Sequence, residues 1–235
     1  MVLGPNRTHT NDLLERLPAR DRKAVLAACD EVEVNVGQLI YAEGGRIPYA
    51  YFPIDSMFSE LSPSASPAVE AFLTGHEGMV GFALALEARF APMECSVQGS
   101  GLALRMKAAV FRDLVASLPS LREQAFASAL YQMQQTARNV YCVRHHEIQH
   151  RLARWLLMAA DRHRSPRFDV THKFLAAMLG TRRAGVTVAA TGLQARRLIR
   201  YRRGEMEILD RKGLEGAACD CYAFSLKAHR AAFRR

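Results

Sequence analysis

Three side chains that could bind a metal ion or act as nucleophile and base are spaced at helical intervals: Cys142, His146 and His150. A continuous helix would place them on one face, and thiolate and imidazole are ligands that Zn²⁺ accepts. A Cys–His pair could also serve nucleophilic catalysis. Against both, the helix is expected to break near Val143 and no orienting carboxylate is evident. Local hydrogen bonding at a domain junction is therefore the favoured role.

Two further thiols, Cys219 and Cys221, flank Asp220. They are interpreted as adjacent thiols on a partly buried helix, with a metal or redox role as the alternative. The five cysteines are odd in number and form no CxxC pair, which argues against a disulfide framework. The sequence thus predicts no bound metal and no cofactor.

Charge divides the chain into two unlike parts. Residues 1–142 carry 12 Lys or Arg and 15 Asp or Glu, whereas residues 143–235 carry 20 and 8. A basic excess confined to one part suggests a polyanionic partner, of which nucleic acid is the commonest. A basic surface on an enzyme is the alternative.

Within the basic part, the pattern predicts two helices joined by a tight turn. Thr171 can cap the first helix, and Gly180 suits the left-handed residue that ends it. In the second helix Val186, Ala190 and Leu193 share one face, while a polar stripe occupies another. That stripe consists of Arg183, Thr187, Thr191 and Gln194.

A basic hairpin follows, with strands on either side of a turn at Arg203-Gly204. Two helices and a hairpin in this order predict a winged helix-turn-helix, whose second helix enters the major groove of double-stranded DNA. In that helix an arginine such as Arg183 can bond guanine with two hydrogen bonds, and a threonine such as Thr187 can touch the thymine methyl group. The residues predicted to contact the DNA backbone are Thr171, Lys173, Thr181, Arg200, Arg202 and Arg203.

The N-terminal hundred residues read as short extended runs separated by turn residues, preceded by a helical segment over Leu13–Cys29. The expected strands are Val32–Val36, Gln38–Tyr41, Tyr49–Phe52, Val69–Leu73 and Leu102–Met106. This spacing is typical of a small barrel or jelly roll.

A long helix is predicted after Pro119. Apolar or small residues recur along it and suggest a seam between two identical chains, with packing on the barrel as the alternative. The predicted dimer residues are Leu121, Ala125, Ala129, Met133, Ala137 and Val140.

Several stretches together resemble the CRP/FNR superfamily of bacterial transcription regulators. These stretches are residues 151–161, 174–183 and 198–204, with Gly37, Gly44, residues 78–81 and the helix after Pro119 as looser matches. The resemblance implies an α+β chain with an N-terminal jelly-roll barrel of the cyclic-nucleotide-binding type over residues 11–118. It also implies a dimerisation helix over residues 119–142 and a C-terminal winged helix-turn-helix over residues 143–235. A homodimer that reads a palindromic operator and contacts RNA polymerase follows from the same resemblance. The resemblance also implies that the first turn of the second helix contacts the bases, and the residues predicted to contact bases are therefore Arg182, Arg183, Ala184 and Thr187.

The barrel departs from relatives that bind cyclic AMP. Their ribose-binding glutamate falls near Phe82, and their phosphate-binding arginine falls near Met93 or Glu94. Arg89 is the only Lys or Arg between Arg46 and Arg105, so a phosphate would find little charged support. We therefore expect no cyclic AMP, and an unknown small apolar effector or none.

The expected protein is a soluble cytoplasmic regulator without a membrane segment, and not an enzyme. The alternative is a Cys/His enzyme or metal-dependent sensor with an incidental basic surface.

Overall fold

The computed structural model describes residues 10–62, 69–202 and 204–233. Two short helices, α1 (Asp12–Glu15) and α2 (Ala19–Ala27), precede the strands, because Pro18 separates them within the predicted helical segment. The strands that follow are β1 (Asp30–Val34), β2 (Leu39–Tyr41), β3 (Tyr49–Pro53), β4 (Met57–Leu61), β5 (Glu70–Thr74), β6 (Glu94–Gly99) and β7 (Gly101–Lys107).

These strands form two antiparallel sheets, with the orders β1-β7-β3 and β2-β6-β4-β5. A 3-10 helix over Phe82–Leu86 follows β5. The sequence missed β4 and β6. All five residues of β4 are buried, so the strand lacks the alternation of apolar and polar residues that marks a half-exposed strand.

Helix α3 (Ala108–Ser117) leads into the long helix α4 (Pro119–His145). The predicted dimer stripe does not stay on one face of α4, because steps of four residues advance about 40° beyond a full turn each time. Leu121, Ala125 and Ala129 are buried in the core of their own chain. This burial corrects their assignment as dimer contacts.

The remaining elements are α5 (Ile148–His163), β8 (Arg167–Asp169), α6 (His172–Met178), α7 (Arg183–Ala195), β9 (Ile199–Arg202), β10 (Glu205–Ile208), α8 (Arg211–Ala217) and α9 (Cys221–Ala232). Strands β8, β10 and β9 form an antiparallel sheet in that order. The structure therefore has the predicted α+β architecture, a jelly-roll-type N-terminal part joined by a long helix to a winged helix-turn-helix.

The two parts share a hydrophobic core at the barrel surface. Met57 and Leu61 of β4 pack in the same cluster as Trp155 and Leu156 of α5. Phe58, on the opposite face of β4, belongs to the cluster inside the barrel. The barrel thus supports the helix from which the winged part is built. Within the described ranges, no helix has the length and apolar content needed to cross a membrane.

Candidate nucleic-acid interface

The turn between α6 and α7 is formed by the residues that the sequence singled out. Thr171 Oγ1 accepts a hydrogen bond from the Phe174 amide at 3.1 Å and caps α6. Gly180 adopts φ +56°, a left-handed conformation that glycine reaches without the steric cost of a side chain. The Thr181 amide then donates to Ala176 O at 2.9 Å, which closes the end of α6.

Helix α7 buries one face and exposes its first turn. Val186 and Leu193 are fully buried, as the helical spacing predicted. The predicted base-contacting residues Arg182, Arg183, Ala184 and Thr187 are all exposed. The buried face anchors α7 on α5, so the exposed turn is held rigidly at the surface.

A histidine that the sequence analysis did not identify connects α6, α7 and the hairpin. His172 Nδ1 lies 3.1 Å from Thr187 Oγ1, and its ring stacks on Tyr201 with centroids 4.4 Å apart. Burial, together with the charge of Arg183, lowers the pKa of His172. No local pattern could have revealed this residue, because its partners lie 15 and 29 positions further along the chain.

Gln194 has a different role from the one that its place in the polar stripe suggested. Its Oε1 accepts a hydrogen bond from the Tyr201 amide at 2.9 Å. The side chain therefore holds the first strand of the hairpin against α7, which corrects its assignment to the exposed stripe.

The hairpin β9–β10 forms the wing, and Gly204 in its turn adopts φ +92°. Arg200 forms an ion pair with Glu207 on the opposite strand, and Arg167 Nη2 lies 2.7 Å from Glu207 Oε1. Hydrogen bonds from Arg167, and then from Arg200, lower the pKa of Glu207. Part of the predicted phosphate-binding charge is therefore already paired within the wing.

Arg202 is exposed and forms no ion pair with a described residue. Two other predicted backbone contacts, Arg203 and the side chain of Lys173, lie outside the described residues. Thr171 is exposed and Thr181 half-buried at the two ends of α6.

The barrel interior contains a buried acidic side chain, whereas a bound cyclic phosphate would need a basic one. Glu60 Oε1 accepts a hydrogen bond from Tyr41 Oη at 2.7 Å, and burial raises the pKa of Glu60 to about 7. Phe82, Met93 and Glu94, which stand at the positions expected for nucleotide-binding side chains, are all half-buried.

A cavity of about 440 Å³ lies between β5, α4 and α5. Its walls are mainly apolar and include Ala71, Met93, Trp155 and Met158. Its size and lining suit a small apolar molecule.

The cysteine and histidine residues are arranged differently from the sequence expectation. Helix α4 continues past Val143 to His145, and His150 Nδ1 donates to Ala217 O at 2.8 Å instead of joining Cys142. The structure groups Cys142 and His146 with Cys219 and Cys221. These four residues are called the Cys/His cluster below.

Within the Cys/His cluster the three thiols are not equivalent. A hydrogen bond from Cys219, and the nearby charge of Arg154, hold the pKa of the Cys142 thiol below its usual range. The interaction with Cys142, together with burial, raises the pKa of Cys219. One thiolate is therefore favoured within the group.

Comparisons with known proteins agree with this geometry. Residues 150–217 match the family model of the Crp-like helix-turn-helix domain. The solved structure of FixK2 from Bradyrhizobium japonicum is similar with a TM-score of 0.68 and 11% identity, covering 81% of this chain and 98% of that one. No curated protein matches this chain.

Two other solved structures show the same fold. TTHB099, a CRP-family transcriptional regulator from Thermus thermophilus, has a TM-score of 0.66 at 16% identity and covers 80% of this chain and 96% of that one. The c-di-GMP-responsive global regulator CLP of Xanthomonas campestris has a TM-score of 0.65 at 15% identity, with coverages of 81% and 99%. These matches confirm the resemblance to the CRP/FNR regulators.

Proposed function

We propose that this chain, which carries a Crp-like helix-turn-helix domain on the fold of the CRP/FNR regulators, is a sequence-specific DNA-binding transcription regulator that acts as a homodimer. The observation that carries the proposal is the first turn of α7. It is exposed and basic, and the buried opposite face of the helix fixes its position. An α-helix presented in this way fits the major groove of B-form DNA.

The first turn of α7 reads bases, and the elements around it hold the phosphates. Arg183 can donate two parallel hydrogen bonds to guanine, and Ala184 and Thr187 can contact a thymine methyl group. Arg182 completes this base-contacting set. The groups for the sugar–phosphate backbone are those predicted from the sequence: Thr171, Lys173, Thr181, Arg200, Arg202 and Arg203.

An exposed apolar stripe on α4 supports the homodimer. Its residues alternate at intervals of four and three, the spacing at which two helices form a continuous seam. Met133 is 67% exposed and Val140 is 69% exposed. The stripe consists of Phe126, Leu130, Met133, Ala137 and Val140.

A twofold axis along this seam would relate two copies of α7, and a twofold pair of reading helices requires a palindromic operator. Contact with RNA polymerase stays a prediction from the family resemblance.

We further propose that the barrel does not bind cyclic AMP. A cyclic phosphate needs a cation, whereas Glu60 is a buried acid inside the barrel and Phe82 stands where a ribose-binding glutamate would be. The apolar cavity between β5, α4 and α5 is the better candidate for an effector.

An enzymatic role for the Cys/His cluster is the poorer interpretation, because the matched domain is a helix-turn-helix module.

Selection of bound sequences from a randomised duplex pool tests the proposal. The protein is used at near-physiological salt without added effector, and we expect enrichment of a palindrome with two half-sites. Arg183→Ala should relax the preference at one position of each half-site and cost about 1 to 3 kcal/mol. Arg230→Ala removes the same charge from the exposed surface of α9 and should leave the enriched sequence unchanged. Enrichment of the same sequence by Arg183→Ala would contradict base reading by α7, and enrichment of no sequence by the wild type would contradict specific DNA binding without an effector.

A further inference from the structure

Four potential metal ligands meet where the long helix ends. Cys142 lies in the last turn of α4, His146 follows that helix directly, Cys219 precedes α9 and Cys221 is its first residue. One ligand atom from each residue lies within 4.8 Å of all the others. Cys142 and Cys219 are 77 positions apart in the sequence, so it is the packing of α9 on α4 that creates the group.

Two of the distances between ligand atoms are close to those of a tetrahedral metal site, and the others lie within 4.8 Å. Cys142 Sγ and Cys219 Sγ are 3.5 Å apart, and Cys221 Sγ and His146 Nδ1 are 3.6 Å apart. Around Zn²⁺, with metal–sulfur bonds of about 2.3 Å, neighbouring sulfur atoms in a tetrahedron lie about 3.8 Å apart. A single ion at the centre of the cluster would therefore reach every ligand with small side-chain shifts.

The surroundings of His146 provide the orientation that metal-binding histidines usually have. Its Nε2 lies 3.3 Å from Asp220 Oδ1, while Nδ1 faces the sulfur atoms. A carboxylate on the far nitrogen fixes the tautomer that leaves Nδ1 free as a ligand. Sequence inspection did not recognise Asp220 in this role, because it is 74 positions from His146.

Two nearby arginines could balance the net negative charge of a metal complex at this site. Three thiolates and one neutral imidazole around Zn²⁺ carry one net negative charge. Arg138 Nη1 donates to Cys221 Sγ at 4.0 Å. Arg154 is buried and lines the same cavity as Cys142, and its Nε and Nη2 have no hydrogen-bond partner among the described residues. These guanidinium groups would stabilise the anionic complex.

We propose that Cys142, His146, Cys219 and Cys221 form a Cys₃His binding site for Zn²⁺ that fastens the start of α9 to the end of α4. Thiolate and imidazole ligands select zinc over hard cations such as Mg²⁺ and Ca²⁺. Four protein ligands leave no open position for a substrate, so the site is structural and not catalytic.

The position of the site gives it a consequence for DNA binding, and this step rests on the proposed function. Residues 146 and 147 connect α4, which carries the proposed dimer seam, to α5, which supports α7. A metal ion bound both to the end of α4 and to the start of α9 limits how far the winged part can rotate relative to α4. We therefore expect zinc occupancy to favour one spacing between the two reading helices of the dimer.

Metal content is the first test and does not depend on DNA. Full-length protein purified without a histidine tag should contain about one zinc per chain by mass spectrometry, and Co²⁺ should give the visible spectrum of a tetrahedral thiolate site. Cys142→Ser, Cys219→Ser and Cys221→Ser should each lose the stoichiometric metal. The matched control is Cys29→Ser, because Cys29 is a half-buried thiol outside the cluster. Equal metal loss in Cys29→Ser would overturn the proposal.

The histidine offers a second matched pair. His146→Ala should lose the metal, whereas His145→Ala changes the adjacent, exposed histidine and should retain it. Asp220→Asn should lower zinc affinity about tenfold, because it alters only the group that orients His146. Folded, reduced wild-type protein that binds neither Zn²⁺ nor Co²⁺ contradicts the site. The site is also contradicted if the protein is isolated with a Cys142–Cys219 disulfide and binds no metal after that disulfide is reduced.

DNA binding by the same protein separates the two proposals. Removal of zinc with a chelator should weaken binding to the selected operator at least tenfold, and added Zn²⁺ should restore it. Stoichiometric zinc with an unchanged Kd for DNA would contradict the fastening role. If neither form binds DNA, the proposed function fails, while the metal content still decides whether the site exists.

Discussion

Arg162 of α5 forms an ion pair with Glu77 of the barrel, with Nε and Oε1 2.8 Å apart. Both side chains are buried, and Arg162 also donates to Leu73 O and Met158 O at 3.1 Å each. The pair joins α5, the helix that supports α7, to the N-terminal part. The relative position of the two parts therefore depends on an ion pair whose charged groups are both buried away from water.

Loss of one partner of this pair should be costly. Arg162→Met leaves the Glu77 carboxylate buried, with the Gly75 amide as its one remaining hydrogen-bond donor among the described residues, and should lower the free energy of unfolding by about 3 to 5 kcal/mol. Urea denaturation measures the change. The double variant Arg162→Met, Glu77→Met removes both charges and should recover most of the loss. Equal instability of the single and double variants would show that the charge imbalance is not the cause.

Arg202→Ala should weaken binding to all duplexes by the same factor. Arg202 has no ion pair within the described residues, so its charge is available to a phosphate. The slope of log K against log salt should fall in magnitude by about 1.8, because the proposed homodimer loses two phosphate contacts and each contributes about 0.9. Fluorescence anisotropy over a salt series, on the selected operator and on random DNA, measures both. A loss confined to the operator would assign Arg202 to base reading instead.

Glu207→Gln should strengthen DNA binding. The carboxylate pairs with Arg167 and Arg200, and its removal frees both guanidinium groups for phosphates. The salt slope should steepen while the preferred sequence stays the same. Glu205→Gln is the matched control, since Glu205 is exposed on the same strand and pairs with neither arginine in the structure. Equal strengthening by Glu205→Gln would indicate a general charge effect.

Met133→Glu should convert the proposed dimer to a monomer. The substitution places two carboxylates opposite each other across the proposed seam of α4, where both would lose water. Sedimentation velocity measures the mass, and circular dichroism should show unchanged helix content. Val36→Glu, at a residue that is 58% exposed between β1 and β2, should remain dimeric. A dimeric Met133→Glu protein would move the interface away from this stripe.

Glu60→Gln should increase stability at neutral and higher pH. The pKa of Glu60 is about 7 in the folded protein and near 4.5 when exposed, so the folded state holds the extra proton between these values. Its contribution is therefore greatest at low pH and is lost as the pH rises to about 7. Glu60→Gln has no carboxyl group to titrate and does not lose this stability. The difference in free energy of unfolding between the variant and the wild type should therefore grow from pH 4.5 to 7 and reach about 3 kcal/mol. Denaturation at several pH values measures it, and a difference that does not change with pH would contradict the assignment.

The sequence by itself determined the helix-turn-helix and the hairpin that follows it. Thr171, Gly180 and the spacing of Val186 and Leu193 act through the cap, turn and helix periodicity of their immediate neighbours. Such signals can be read locally, because each involves residues within about one or two helical turns.

Only the tertiary structure decided which face of each element is covered. Leu121 and Met133 belong to the same apolar pattern, yet the barrel covers the first and leaves the second exposed. In the same way, packing of α9 on α4 brings Cys142 close to Cys219. Glu77, which follows β5, likewise contacts Arg162 of α5, far along the chain. These partners are far apart in the chain, and a single sequence contains no local signal that specifies such contacts.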